Sequence, residues 1–360
     1  MATFKVSVEK VNKVIDHPDA DRLSIVQVLG YNVITKKNEF KEGDLVVYIP
    51  TQAVLPDTVI EELNLKGKLA GSKKNRVKEV RLRGVFSEGL IYPHTNGNPI
   101  GTDMTEELGI KKYEQPIPPA LAGEVANIGL DYAFKFDIEN FKNHPDIIQD
   151  GEEVVLSEKI HGTCFLAGAV PDSEKDEKLI DSQFFVSSKG MLAKGLSLKD
   201  NEANEKNTYI KAAKKYNVLE TAKTLANRHN SCVYILGEVF GNGIQDLQYG
   251  ANQNEVFLRV FAIYLGKGSK KKPLDSEKVD SICEEFDLQR VPVLYEGPFS
   301  KDVLFKYTNG KETVSGKSSH IREGVVITPK EERYDRKVGR VILKSISEDY
   351  LLRKNATEFN

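Results

Sequence analysis

Over residues 1 to about 95 the apolar positions fall into short runs, FKVSVEKVNKVI, LSIVQVLGYNVI, DLVVYIP, RVKEVRLRG and EGLIYP, separated by HPDAD, KKNEFKEG and other turn-forming clusters. Runs of this length bounded by such clusters predict strands, and many short strands in under about 100 residues predict a small barrel. The proline-rich stretch Gln115 to Glu124, QPIPPALAGE, suits neither periodicity and reads as a linker. From about Asp131 the apolar runs are those of buried strands: EVVLSEK, QFFVSSKG, CVYILGEVFG, VFLRVFAIYL, EGVVITP and RVILKSIS. Two helices are expected among them. Ile210, Ala213, Tyr216, Leu219, Ala222 and Leu225 recur every three residues and are assigned to one face of the first. Val279, Ile282, Cys283 and Phe286 form the second, after Asp275 or Ser276 as its cap. The expected division is a barrel over 1–112, a linker over 113–130 and a strand-dominated domain with outer helices over 131–360.

Length agrees with that division, since 360 residues exceed what one core supports. With 40% hydrophobic residues and no apolar run near eighteen long, a soluble chain without membrane spans is expected. The start, MATFKVSVEKV, lacks a secretory apolar core, so a cytoplasmic location is expected. Cys164, Cys232 and Cys283 are widely spaced and odd in number, which suits reduced, packed thiols rather than a disulfide framework or a zinc site. The net charge of -2 gives no sign of a polyanionic partner, but the local balance does. Between Lys66 and Arg83, KGKLAGSKKNRVKEVRLR sets a dense basic run against Glu79 alone, and Lys73, Lys74 and Arg76 are its candidate contacts to nucleic-acid phosphates. A solvated loop and strand face is the competing reading.

One apparent phosphate loop is set aside. Gly310 to Ser318, GKETVSGKS, separates its glycines by five residues where the phosphate cradle requires four. What remains is a series of strand ends, each carrying a charged group: Glu158 and Lys159, Lys189, Glu238, Glu323 and Lys344. Singly, such residues are most often solvated strand termini. Their order is more informative. Lys159-Ile160-His161-Gly162-Thr163, then Ser188-Lys189-Gly190, Gly237-Glu238, Phe261 in VFAIY, Glu323-Gly324-Val325-Val326 and finally Lys344 resemble the ordered motifs of the covalent nucleotidyltransferases, the polynucleotide ligases and capping enzymes. In the first domain His17 to Leu23, HPDADRL, resembles the first-hairpin signature of tRNA-binding OB domains.

The HGT form of the first motif, Glu158 before it, DIENFKN at Asp137 to Asn143, and only sixteen residues after Lys344 make the chain most similar to ATP-dependent RNA ligases of the Deinococcus and Naegleria type. The resemblance implies an α+β fold: an N-terminal OB-like β-barrel followed by a nucleotidyltransferase (adenylation) domain of antiparallel sheets with flanking helices. It implies ATP as AMP donor and Mg²⁺ or Mn²⁺ as cofactor. The implied partner is RNA bearing 3′-OH and 5′-phosphate ends, in a nicked duplex or otherwise, bound by a monomer.

By the same resemblance Lys159 is the nucleophile, with His161 and Lys344 catalytic beside it. Glu238 and Glu323 hold the metal, and Glu238 also contacts a ribose hydroxyl. Phe261 and Val326 sandwich the adenine, Glu158 reads its amino group, and Gly162, Thr163, Lys189 and Arg340 complete the nucleotide site. A lysine near pKa 10.4 needs a depression of about 3 units, roughly 4 kcal/mol, to be half neutral near pH 7, and burial or a second lysine pushes that way. Two positions depart from the pattern. Relatives often carry aspartate where His161 stands, and position 342 is isoleucine where a second lysine is common, so Arg340 is the expected substitute on the face of Lys344. A DNA ligase, a capping guanylyltransferase, or a non-catalytic RNA-binding protein with a degenerate nucleotidyltransferase domain are the alternatives.

Overall fold

The computed structural model describes residues 4–93, 96–114, 121–135 and 137–354. Strand β1 (Ser7–Asp16) buries Val8 and Val11 and exposes Lys10, Asn12 and Lys13. A bulge between Val11 and Lys13 lets its two halves serve different neighbours. The first half pairs with β4 (Leu45–Ile49) and the second with β2 (Leu23–Val28). The run LSIVQVLGYNVI is a hairpin, β2 turning at Leu29 and Gly30 into β3 (Tyr31–Lys36). A ribbon of β5 (Val80–Leu82) and β6 (Val85–Ser87) precedes β7 (Leu90–Pro93), and the sheet order is β3-β2-β1-β4-β7, antiparallel throughout. His17 is buried in the turn after β1; its Nδ1 accepts from the Asp19 N–H, and its Nε2 lies 3.1 Å from the Leu82 carbonyl. The HPDADRL turn thus fastens the ribbon that ends the basic run.

Gln115 to Ala120 of the expected linker lie outside the described residues. Leu121 is already buried in the core of the second domain, and β8 (Val125–Asn127) pairs with β13 (Leu196–Leu198). The second domain is built from two five-stranded sheets. One has the order β9 (Glu139–Asn140), β19 (Leu343–Ile346), β18 (Gly324–Pro329), β10 (Glu153–Lys159) and β17 (Val293–Pro298). The other runs β12 (Phe184–Ser188), β11 (Thr163–Ala169), β14 (Val233–Gly241), β15 (Val256–Leu265) and β16 (Lys272–Pro273). All pairings are antiparallel except β9 with β19. The central β14 is apolar along nearly its whole length because both of its faces are covered.

Helices α1 (Thr208–Lys215), α2 (Val218–His229) and α3 (Ser276–Glu285) pack on one face of the second sheet. The helix expected through Ile210 to Leu225 is therefore two, broken at Asn217, whose φ of 50° is left-handed. A strict three-residue repeat drifts about 60° per step on a helix of about 3.6 residues per turn, so six such positions cannot share one face. Re-aiming the chain at Asn217 returns Ala222 and Leu225 to the core already occupied by Ile210 and Ala213. Helix α3 begins after Asp275 as expected, although that side chain pairs with Lys278 at 3.0 Å instead of capping an N–H. Two further helices, α4 (Lys301–Thr308) and α5 (Glu348–Leu351), flank β18 and follow β19. Among the described residues no helix is long and apolar enough to cross a membrane.

DIENFKN joins the two domains. The Gly30 N–H donates to the Lys142 carbonyl at 2.7 Å, Tyr31 Oη to Asn143 Oδ1 at 2.7 Å, and the Lys142 ammonium pairs with buried Glu88. A Cβ on Gly30 would stand 2.8 Å from the Lys142 backbone, so this approach requires glycine.

Candidate active site

Alternation along β10 sorts its side chains. Val154, Leu156 and Glu158 are buried on one face, whereas Val155, Ser157 and Lys159 line a cavity of about 970 Å³ on the other. At Ile160 to Gly162 the chain leaves the first sheet, and with Thr163 it enters the second. The nucleophile motif is thus the crossing between the sheets. A Cβ on Gly162 would lie 2.3 Å from the Val239 carbonyl oxygen, so glycine is required for the loop to lie against β14. From the facing strands come Glu238, Phe261, Val326 and Lys344, all on the cavity wall. Lys189 reaches the wall from the first residue of a helical turn and lies 3.5 Å from Asp137. Thr163 also lines the cavity, its hydroxyl 2.5 Å from Tyr209 Oη.

The charges here are held close together. Lys159 Nζ lies 2.6 Å from Glu323 Oε1, while Glu323 Oε2 is buried without a hydrogen-bond partner among the described residues. Desolvation pushes the Glu238 carboxyl up to about 8; Glu323 adds to this and Lys159 opposes it. Burial, then the charge of Lys159, lowers Lys344 from the usual lysine range. Burial raises the Cys164 thiol, which sits across the strand pair from Glu238, and so favours its neutral form. An orphaned carboxylate oxygen beside a carboxyl that resists ionisation fits a cation. Among the described residues no group of three or more His, Cys, Asp or Glu is arranged to hold a metal. The donor set therefore fits an ion that keeps its waters and shares ligands with a phosphate, not an all-protein cage.

The geometry bears on four expectations. Glu158 touches the cavity wall, but its carboxylate accepts from the Thr313 N–H at 2.9 Å and the Thr313 hydroxyl at 2.5 Å, so it anchors the loop before β18 instead of presenting acceptors to a base. Burial raises its pKa and those hydrogen bonds oppose the rise. His161 is only 4% exposed and is not on the cavity wall; its ring nitrogens face Asp246 and Tyr350. Both ring nitrogens are engaged on the side away from the cavity. Arg340 lies at the cavity rim in a separate two-residue strand, not on β19 with Lys344, and its guanidinium is taken by Glu332 and, at 3.2 Å, Tyr264 Oη. The basic run is also divided. Lys73 and Lys74 are exposed, Arg76 stacks 4.2 Å over the Tyr113 ring, and Arg81 reaches Glu348 and Asp349 of α5 at 3.6 and 3.8 Å.

Sequence reasoning did not find Asp246, Tyr249, Tyr350 or Arg353, and it named Asp137 only as part of DIENFKN. The spacing of Tyr350 and Arg353, one helical turn apart, was the available signal. The glycine loop rejected as a phosphate cradle proves to be self-filled. Its Glu312 carboxylate accepts from the Ser315 and Ser319 N–H groups at 2.8 and 2.7 Å, where an anion would otherwise sit.

A sequence profile of the RNA ligase family matches residues 152–346, from the start of β10 to the end of β19. The chain belongs to the RNA ligase family. An OB-fold domain profile matches residues 5–94, the first barrel. Among solved structures, a Naegleria gruberi RNA ligase mutant with ATP and Mn superposes with a TM-score of 0.79 at 22% identity, covering 97% of this chain and 98% of that one. The same ligase with PPi gives 0.78, and a further mutant with AMP and Mn gives 0.79, at the same identity and coverage. The fold is thus shared across both domains. A comparison with curated proteins finds no match at the level of sequence.

Proposed function

We propose that this RNA ligase uses ATP to join a 3′-OH to a 5′-phosphate in three steps: adenylation of Lys159, transfer of AMP to the 5′-phosphate, and attack of the 3′-OH with loss of AMP. The observation that carries the reading is the Lys159–Glu323 contact at 2.6 Å at the edge of a cavity that Lys159, Glu238 and Lys344 line. To attack, the Lys159 amine must leave Glu323 and shed its proton. The neighbouring positive charge of Lys344 favours that loss. Lys344 and Lys189 then face the charge developing on the α-phosphate, while Phe261 and Val326 flank the base. A divalent ion, Mg²⁺ or Mn²⁺, held through its waters by Glu238 and Glu323, would supply further positive charge to the transferring group. That pyrophosphate, AMP, ATP and Mn accompany the similarly folded ligase supports this assignment.

The barrel, with Lys73, Lys74 and Arg76, is proposed to track the RNA backbone around the break, nicked duplex included. We take the enzyme to act as a cytoplasmic monomer. The domain limits keep 1–112 as the RNA-binding module; residues 121–130 go with the adenylation domain because β8 pairs with β13.

Incubation with α-labelled ATP and a divalent ion should attach label to the protein through an acid-labile phosphoramide bond. Label that persists in Lys159→Ala would refute the assignment. Transfer from labelled GTP instead of ATP would point to a capping-type enzyme, and sealing of nicked DNA in preference to RNA would point to a DNA ligase. Absence of any adduct would leave the non-catalytic RNA-binding reading.

A further inference from the structure

Behind the nucleophile loop, on the side away from the cavity, lies a buried polar cluster that the proposed reaction does not use. The His161 main-chain N–H donates to Tyr249 Oη at 2.7 Å. Its Nε2 lies 2.8 Å from Asp246 Oδ1, and its Nδ1 2.7 Å from Tyr350 Oη. Nε2 also lies 3.1 Å from Arg353 Nη2, so Asp246 and Arg353 both face this nitrogen while Tyr350 faces the other. Arg353 closes the cluster. Its Nε and Nη2 donate to the two oxygens of Asp246 at 2.7 and 2.9 Å, its Nη1 donates to the Tyr350 carbonyl at 2.7 Å, and the guanidinium lies 3.7 Å over the Tyr350 ring. A two-pronged pair of this kind fixes direction as well as distance.

These side chains come from separate parts of the chain. His161 is on the crossing loop, Asp246 follows β14, and Tyr350 and Arg353 belong to α5 and the residues just after it. Helix α5 follows directly on the strand that bears Lys344, and its cap residue Ser347 donates its N–H to the Glu323 carbonyl at 2.9 Å. One short terminal element therefore holds the backs of Lys159, Glu323 and Lys344 together.

We propose that Asp246, Tyr350 and Arg353 are positioning residues for lysyl adenylation. They hold His161 in one ring orientation, and through it they fix the loop that aims Lys159. The inference rests on Lys159 being the nucleophile. None of the three lies on the cavity wall, so they act through the loop and not on ATP. Misplacing a reacting group by about 1 Å costs on the order of 100-fold in rate, which gives the cluster its leverage.

The test uses the full-length protein and α-labelled ATP. It reads the single-turnover adenylation rate and the ATP concentration for half-maximal rate, alongside the melting temperature. Arg353→Ala should lower the saturated rate about 10-fold or more with little change in the half-maximal concentration. Millimolar guanidinium should restore several-fold of that loss while leaving wild type unchanged. Arg353→Lys should not restore it, because an ammonium cannot reproduce the fork. Arg228→Ala, which removes an exposed pair between α2 and Glu285 of α3, serves as control and should match wild type.

Should Arg353→Ala fail to fold, Tyr350→Phe decides, since it deletes only the hydroxyl facing Nδ1. A several-fold slower adenylation in a fully folded Tyr350→Phe protein supports the proposal; a wild-type rate overturns it. A folded Arg353→Ala protein with wild-type rate overturns it as well, as does a loss that follows the folded fraction alone and ignores guanidinium. If wild type forms no adduct, the role of Lys159 falls and this inference falls with it. That outcome is distinct from variants matching an active wild type, which removes the positioning role alone.

Discussion

Lysine stands in two different settings in the two domains. In the cavity Lys344 stands near Lys159, and burial, then the charge of Lys159, lowers its pKa. On the barrel Lys73 and Lys74 stand in solvent. A charge in a shielded site acts at short range and strongly, because little water competes with it. Exposed charges act weakly one at a time, through release of counterions from a polyanion, and their effects sum. The same residue type should therefore fail in opposite ways when removed: one at a chemical step and almost without regard to salt, the other at binding and almost entirely through salt.

The largest effect should come from Lys344→Met, which keeps the side-chain volume and removes the charge. Adenylation is expected to fall by about 100-fold or more at every salt concentration, measured in single turnovers. A loss that disappears at low salt would place Lys344 in the barrel's class. Next, Glu238→Gln should change the pH dependence of stability. The Glu238 carboxyl is raised from 4.5 to about 8 in the folded protein. The folded state thus holds a proton that the unfolded chain has released, and that contribution is complete below about pH 4.5 and lost as pH rises through about 8. Ligand-free wild type should weaken against Glu238→Gln across that window, by ~1–3 kcal/mol at pH 9, read from melting curves. Parallel curves would mean that the cavity does not desolvate this carboxyl.

Removing Lys73, Lys74 and Arg76 together should reduce RNA affinity at low salt and flatten the slope of log K against log salt by up to ~2–3, with self-adenylation unchanged. Adenylation that collapses while RNA affinity holds would assign the run to the nucleotide instead. The smallest expected effect is that of Lys73→Ala alone. Its melting temperature should match wild type within about 0.5 kcal/mol of stability, and its salt slope should drop by less than ~1.

The contrast also explains what could be read from the sequence. Strands such as VYILGEVFG and EVVLSEK announce themselves because burial on one or both faces leaves a periodic trace, and the strand-end charges Lys159, Glu238, Glu323 and Lys344 stand out against those runs. His161 and Glu158 were seen, but their partners were not. Asp246, Tyr350 and Arg353 lie 85 to 192 residues from His161, and Thr313 lies 155 residues from Glu158. Pairing over such separations leaves no period in the sequence. Strand alternation did contain a warning for Glu158, since a neighbour of Lys159 on an extended strand points to the other face. The break at Asn217 was also foreshadowed, because a strict three-residue repeat cannot stay on one helix face and asparagine tolerates the left-handed conformation.

Residues 137 to 143 link catalysis to the barrel more tightly than a tether does. Asp137 meets Lys189 at the cavity, β9 lies beside the strand of Lys344, and Lys142 and Asn143 bond Gly30, Tyr31 and Glu88 of the barrel. The barrel is consequently not an interchangeable cassette. A chimera that grafts another OB module in its place inherits a half-buried Lys142 with no acid to meet and a Lys142 backbone that only a glycine can approach, so interchange between ligases must carry Gly30, Tyr31 and Glu88 across together with the segment they grip.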